Sequence, residues 1–142
     1  MNKQNAREYF SKAYRIDHRI RSKFEQLESL NALATRATST LSAMPRNPNR
    51  STSTMADVIA RIIDLQEEIN QDIISLVDSK REIMTIIKSI ENSEYQTLLE
   101  KRYLCFLTWE KIAVDMCYTI HHLYKMHNAA LEVCSKILNQ DT

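Results

Sequence analysis

The stretch TWEKIAVDMCYTIHHLYKMHNAAL, residues 108–131, decides how the C-terminal part of the chain folds. Thr108 and Thr119 are residue types that favour helix N-caps, and each precedes apolar residues at helical spacing. The pattern predicts a short helix, a turn at Cys117-Tyr118 and a longer helix, which is the helix-turn-helix arrangement. The expected buried residues of this unit are Trp109, Ile112, Ala113, Met116, Leu123, Met126, Ala130 and Leu131.

The second of these helices has a polar face on its first turns. Leu123 and Met126 are predicted to face the core, which leaves the opposite side exposed. In a helix-turn-helix, these turns enter the major groove, where Lys reaches guanine and Asn pairs with adenine, while His and Tyr contact bases or phosphates. The exposed residues are His121, His122, Tyr124, Lys125 and Asn128. The sequence therefore predicts binding to double-stranded DNA, with His121, Tyr124 and Lys125 as the main readers.

The composition of the whole chain favours long helices. Its 142 residues include no glycine, although average usage of roughly 7 per cent would give about ten. β-Hairpins, β-bulges and phosphate-binding loops depend on glycine for positive φ, so β-rich folds and nucleotide-binding loops are disfavoured. The two prolines, Pro45 and Pro48, lie together and mark one break. With 44 per cent apolar residues, the sequence predicts an all-α fold.

The charge distribution predicts two long helices that pair as an antiparallel hairpin. Residues 1–50 carry a net charge of +6 and residues 51–100 a net charge of −6, although the whole chain carries only +1. Both segments also repeat apolar residues in steps of three and four, as paired helices do. The first face is Ala13, Ile16, Ile20, Phe24, Leu27, Ala34 and Leu41. The second is Met55, Ile59, Ile62, Ile69, Ile73, Leu76, Ile83, Ile87 and Ile90, with Gln66 and Lys80 at the two missing positions.

These patterns divide the chain into two predicted domains. Residues 1–92 form the helical hairpin, with a loop rich in Pro, Asn and Ser at residues 44–54. Residues 93–142 form a three-helix domain that contains the helix-turn-helix. Helix starts with capping boxes are expected at Thr54–Asp57 and Ser93–Gln96.

The C-terminal segment resembles region 4 of sigma-70-type transcription initiation factors. The matching features are Thr108-Trp-Glu-Lys-Ile-Ala, the helix opening at Thr119 and the ending Ala130-Leu131, while Cys117 replaces the usual turn glycine. The whole chain is similar to the small late-gene transcription regulators of Gram-positive phages and prophages. The resemblance implies a regulator that acts at a promoter, and whose N-terminal helices set the oligomeric state or contact RNA polymerase.

The resemblance also implies roles for single residues. In sigma region 4, the two residues after the helix-opening Thr contact the −35 element, and here they are Ile120 and His121. A second contacting pair lies one turn further on, at Tyr124 and Lys125. Ile120 and Tyr124 replace residues that are basic in sigma factors, so we do not expect this chain to read the ordinary −35 sequence. Thr119 is expected to cap the helix and to donate a phosphate contact.

Two other classes of function remain open. One is a DNA-packaging protein similar to a small terminase subunit, which a ring of many subunits would reveal. The other is a helical interaction module without DNA binding, which the zero net charge of residues 103–138 favours. A basic patch elsewhere would answer that objection, unless the basic first helix simply pairs with the acidic second one. Its candidate residues are Lys101, Arg102, Arg15, Arg19, Arg21 and Lys23. Extra apolar residues beside the hairpin seam favour a homodimer through these helices.

The remaining polar residues form no pattern that predicts a catalytic, metal or cofactor site. The three cysteines are expected to be reduced, mostly buried thiols of a cytoplasmic protein. Cys117, His121, His127 and Cys134 are spread around one helix and its turn, so neither a metal site nor another cofactor is expected. No catalytic constellation stands out, and an enzyme is not expected. No apolar run reaches the roughly 20 residues of a membrane span, and no signal peptide is predicted.

Overall fold

The computed structural model describes the backbone of residues 3–43 and 48–140, and the side chains of residues 6–36 and 54–140. The described backbone contains five α-helices, one π-helical turn and no strand, which confirms the all-α prediction. The elements are α1 (Lys3–Ala43), α2 (Pro48–Lys88), α3 (Ser93–Leu99), the π-helical turn (Glu100–Leu104), α4 (Trp109–Met116) and α5 (Ile120–Gln140).

The chain divides into two compact units. Met1–Ile16 and Leu76–Thr142 form the first, called here the terminal unit, and Asp17–Ser75 forms the second, called the middle unit. The terminal unit thus combines the beginning of α1 and the end of α2 with helices α3 to α5. The middle unit consists of the remaining parts of the two long helices.

The terminal unit has two adjoining clusters of buried side chains. In the larger cluster, α1 and the end of α2 pack against the π-helical turn and α5. The smaller cluster joins α3, α4 and α5, and it fixes the helix-turn-helix. The first consists of Ala6, Phe10, Ala13, Ile83, Ile86, Ile87, Ile90, Leu99, Tyr103, Ala130, Leu131 and Cys134. The second consists of Leu98, Ile112, Leu123 and Met126.

The seam of the middle unit is shifted from the predicted one at about half of its positions. Val58 and Leu65 are buried where Ile59 and Gln66 were expected, and the predicted seam residue Phe24 is 47% exposed. The shifted register also steps by four and three, and it fills the gap at Gln66 with Leu65. Asp72 takes the place expected for Ile73, and it is stabilised there by cations from α1. Ile69 lies in the seam in both registers.

One helix start also differs from the predicted one. Helix α2 begins at Pro48, where a proline is well accommodated because the first helical N–H has no intrahelical partner. Thr54 therefore lies inside α2 and does not start it, and the predicted loop is helical from residue 48 onwards. The other part of that loop, residues 44–47, lies outside the described residues.

The third helix starts at Ser93 as predicted, but its cap is the residue before. The side-chain Oδ1 of Asn92 accepts hydrogen bonds from the backbone N–H groups of Glu94, at 2.9 Å, and Tyr95, at 3.2 Å. The amide of Gln96 donates backwards to the carbonyl oxygen of Ile90 at 2.6 Å. The expected Ser93–Gln96 capping box is therefore wrong, because Asn92 satisfies the free N–H groups first.

Candidate nucleic-acid interface

The turn between α4 and α5 is held by its own backbone. Cys117 adopts the left-handed conformation, with φ of 61° and ψ of 39°. Its N–H donates to Val114 O at 3.3 Å, and the N–H of Tyr118 donates to Ala113 O at 3.1 Å. This is the Schellman pattern, which usually places glycine at the left-handed position. The structure thus confirms that Cys117 stands where a glycine would be preferred.

Both helices of the motif are capped by threonine, as predicted. Thr108 Oγ1 accepts a hydrogen bond from Lys111 N at 3.2 Å, at the start of α4. Thr119 Oγ1 accepts one from His122 N at 3.1 Å, at the start of α5. Each cap satisfies a backbone donor that the first turn leaves without a partner. The short helix and the turn therefore have the predicted bounds, and the longer helix starts as predicted but continues beyond Leu131 to Gln140.

The buried face of the motif follows the prediction with three partial exceptions. The fully packed residues are Ile112, Leu123, Met126, Ala130 and Leu131. Trp109, Ala113 and Met116 pack against the smaller cluster but are only half-buried. Trp109 touches the edges of two rings on α5, with centroid distances of 5.2 Å to Tyr124 and 4.8 Å to His127.

The residues predicted to face DNA lie on the outer side of α5. Thr119, His121, His122, Tyr124, Lys125 and Asn128 are exposed, and Ile120 is half-buried. Two of them are held by neighbouring rings. His122 lies 4.7 Å from the ring of Tyr118, and Tyr124 is 46% exposed while its ring meets Trp109. The structure thus brings these side chains to one surface, and their contact with DNA stays a prediction.

Two cations near the motif are neutralised within the protein. Asp115 accepts both Lys111, at 3.2 Å, and Lys101, at 3.6 Å. Lys125 differs, because the described residues give it no carboxylate partner. Among the cations near the motif, Lys125 is therefore well placed to meet a phosphate or a base.

Three of the four candidate cations on the first helix, Arg19, Arg21 and Lys23, pair with acidic residues. Asp72 on α2 binds Lys23 Nζ at 2.7 Å and Arg19 Nε at 3.3 Å. Arg21 Nε lies 2.9 Å from Asp17 on the same helix. The hydrogen bond from Lys23, followed by that from Arg19, lowers the pKa of Asp72. Lys23 and Arg19 thus pair with the acidic second helix, whereas Arg21 pairs within the first helix.

A buried tyrosine–histidine pair lies behind the exposed face and was missed from the sequence. Tyr103 Oη lies 2.6 Å from His127 Nε2. Burial, followed by the positive charges of Arg7 and Arg102, lowers the pKa of His127 to about 4. Burial also raises the pKa of Tyr103. The buried imidazole is therefore neutral, and its tautomer decides whether Nε2 accepts from the Tyr103 hydroxyl or donates to it.

A π-helical turn positions Tyr103 and its neighbour Arg102. The N–H of Cys105 donates to Glu100 O at 3.0 Å, which closes the wider turn. Arg102 Nη1 donates to Leu107 O at 2.9 Å, and its guanidinium lies 4.7 Å from the centre of the Trp109 ring. Arg102 thereby fixes the segment that leads into α4.

The cysteines are free but less buried than expected. Cys105 and Cys117 are exposed, because both belong to turns, and only Cys134 is buried. Burial raises the pKa of the Cys134 thiol to about 12, so it is a packed, unreactive side chain. The described residues hold no group of three or more His, Cys, Asp or Glu side chains arranged to bind a metal. Among the described helices, none combines the length and the apolar character that a membrane span requires.

Comparison with protein families gives one match. The model of the DUF1492 family, described as a protein of unknown function, matches residues 49–135. The chain belongs to this family. The matched segment extends from the start of α2 through most of α5, so it includes the whole helix-turn-helix. Comparison with curated proteins and with solved structures gave no match.

Proposed function

We propose that this DUF1492 protein is a sequence-specific DNA-binding regulator of transcription. In this proposal, α5 lies in the major groove near a promoter, as the recognition helix of sigma region 4 does. His121, Tyr124 and Lys125 read the bases, with His122 and Asn128 beside them. Thr119 contacts a phosphate at the helix N-terminus, where backbone N–H groups favour an anion.

One observation carries the proposal: a rigid turn presents a capped helix whose outer face is polar. The Schellman turn at Cys117 and the cap at Thr119 fix the direction of α5. Leu123 and Met126 bury its inner face. The outer face then carries donors and acceptors suited to base edges, among them Lys125, which has no carboxylate partner in the described part of the chain.

The middle unit supports a second part of the proposal, which is self-association. The apolar residues Ile59, Ile63, Ile73 and Ile74 are between 39% and 57% exposed. Helical periodicity places them on one face of α2, together with Gln66 and Asn70. We propose that a second copy of the chain covers this face. A homodimer would present two α5 helices and so double the contacts to DNA. RNA polymerase is the alternative partner for the same helices.

The first test is binding to duplex DNA taken from the genome on either side of the gene. Fluorescence anisotropy at salt concentrations of about 50 and 200 mM measures both affinity and its salt dependence. We expect a sequence-selective complex that Lys125→Ala weakens by about 1–3 kcal/mol. Lys136→Ala is the matched control, because Lys136 is exposed on the same helix about three turns away from Lys125.

Four outcomes separate the candidate functions. Selective, salt-dependent binding that Lys125→Ala weakens and Lys136→Ala leaves unchanged would support the regulator. Equal loss from both variants would mean that only unspecific charge is involved. No complex at low salt would contradict DNA binding and favour an interaction module. A ring of many subunits in the same preparation would favour the DNA-packaging alternative.

A further inference from the structure

The terminal unit contains a cleft with basic and aromatic walls. Its volume is about 590 Å³, which lies within the range of pockets that hold small organic ligands. Two further polar groups, Ser11 and Asn128, lie at its surface. Of the described residues, no aspartate or glutamate lines it. The main walls consist of Arg7, Tyr14, Arg102, Tyr103, Trp109 and Tyr124.

The two arginines give the cleft an unbalanced positive charge. Arg102 is held in place by the Leu107 carbonyl and the Trp109 ring, and the described residues provide it with no carboxylate. Arg7 is exposed on α1 and likewise has no ion-pair partner among the described residues. Both lie close enough to act on the buried His127 at the cleft wall. A planar guanidinium binds a carboxylate or phosphate through paired N–H groups, so this charge fits an anion.

The aromatic walls suit a flat ring. Trp109, Tyr14 and Tyr124 line the cleft and are half-buried or exposed, whereas Tyr103 at its wall is buried. Offset stacking and edge-to-face contacts with such rings favour a planar aromatic ligand over an aliphatic one of similar size. Asn128 offers both a donor and an acceptor to the edge of such a ring.

We propose that this cleft binds a free planar aromatic anion, of the chemical class represented by purine nucleoside monophosphates. Arg7 and Arg102 bind the anionic group, and the aromatic side chains hold the ring. The proposal does not rest on DNA binding, because the cleft belongs to the terminal unit alone and its occupancy is measured without DNA.

The chain provides its own reporter for the test. Trp109 is the only tryptophan, and it lines the cleft. Titration of the full chain with 5′-AMP and 5′-GMP should quench its fluorescence in a saturable way. Separate titrations with adenosine and with inorganic phosphate measure how tightly the ring alone and the anion alone bind. We expect either nucleotide to bind at least about tenfold more tightly than adenosine or phosphate, a difference of about 1.4 kcal/mol.

Two arginine variants make the test specific. Arg7→Gln should weaken nucleotide binding by about tenfold or more, because it removes one charge-assisted contact. Arg15→Gln is the matched control, since Arg15 is exposed on the same helix and does not line the cleft. Both positions are exposed, and unchanged circular dichroism verifies the fold of each variant.

Four results would overturn the proposal. The first is the absence of saturable quenching by either nucleotide at about 5 mM, well above a millimolar dissociation constant. The second is equal binding of adenosine, which would remove the role of the anion. The third is equal binding of inorganic phosphate, which would remove the role of the rings. The fourth is quenching by duplex DNA but not by a free nucleotide, which would make the cleft part of a DNA interface.

Discussion

The two units differ in the share of their apolar residues that is buried. Among the described side chains, the terminal unit holds sixteen of the twenty buried apolar residues, and the middle unit holds four. The large apolar residues exposed in the middle unit outnumber those that it buries. They are Phe24, Leu33, Ile59, Ile63, Ile73 and Ile74. The terminal unit thus has a core of its own, whereas the middle unit has apolar surface that a partner could cover.

The difference follows from the number of helices in each unit. Five α-helical segments and the π-helical turn make up the terminal unit, so a side chain such as Leu123 is fully buried among α3, α4 and α5. In the middle unit, two helices share one narrow seam, and each presents the rest of its circumference outward. The comparison predicts that equal truncations have unequal effects in the two units.

The largest effect is expected in the core of the terminal unit. Leu123→Ala should lower the free energy of unfolding by about 4 kcal/mol, because it leaves a cavity between α3, α4 and α5. Urea unfolding followed by Trp109 fluorescence measures this unit specifically, since the only tryptophan lies there. Val114→Ala, at a position that is 74% exposed on α4, is the control and should cost little. Equal losses from both variants would contradict the packing described.

The second effect is a pH dependence that the same unit should show. His127 has a pKa of about 4 in the folded state and about 6.5 when unfolded, so folding favours its neutral form. This stabilisation is complete above pH 6.5 and is lost as the pH falls towards 4, by about 3 kcal/mol. The measurement is the free energy of unfolding at several pH values across this range.

A pair of histidine variants isolates this contribution. His127→Gln removes the titrating group but keeps an amide that can accept from or donate to the Tyr103 hydroxyl, so it should flatten the slope between pH 6.5 and 4. His121→Gln on the exposed face is the matched control and should keep the slope. An unchanged slope in His127→Gln would show that the imidazole is not held neutral in the folded protein.

The sequence predicts the helix-turn-helix well because its signals are local. Two threonine caps and a 3.6-residue apolar period lie within 24 residues, and the structure reproduces each of them. The role of His127 was not foreseen, because a histidine is ambiguous until its neighbours are known. The signal was present, since His127 follows Leu123 by four residues and precedes Leu131 by four, on the buried face. Its partner Tyr103 lies 24 residues away, which no local pattern reveals.

The third effect tests the charged position in the seam of the middle unit. Asp72→Asn should destabilise this unit by about 1 kcal/mol at neutral pH, because Lys23 and Arg19 lose their charged acceptor. The lowered pKa of Asp72 means that its contribution is present above pH 4 and is lost as the pH falls below that value. Asp64→Asn is the matched control, because Asp64 is exposed on the same helix.

Circular dichroism during urea unfolding follows this change, because it reports on the helices of both units. A loss at pH 7 that disappears in strong acid is the expected result. A difference between the wild type and Asp72→Asn that stays constant from pH 7 into strong acid would contradict the assignment, since the contribution of the carboxylate should be lost as it is protonated.

The middle unit also shows why its register was harder to predict than its helices. Two registers of α2 satisfy the step of three and four equally well, and one of them contains more isoleucine. The choice depends on residues of α1, because Lys23 lies where Asp72 can accept from it. A prediction that excludes charged residues from the seam rejects the register observed here, because that register contains Asp72. Apolar periodicity therefore predicts that α2 pairs with another helix, whereas the ion pair between the two helices determines the register of that pairing.

The smallest effect on the folded chain should come from the exposed face of α2. Ile63 is 57% exposed, so Ile63→Gln should change the free energy of unfolding of the monomer by less than about 0.5 kcal/mol. If a second copy covers this face, the same variant should weaken self-association by about 2 kcal/mol, because a buried isoleucine is replaced by a polar side chain.

Sedimentation equilibrium measures the free energy of self-association, and Val114→Gln on α4 is the control. A wild type that stays monomeric at every concentration would contradict the homodimer, and a dimer that Ile63→Gln leaves intact would place its interface on another face. The two measurements together separate apolar surface that stabilises an assembly from apolar surface that is merely tolerated.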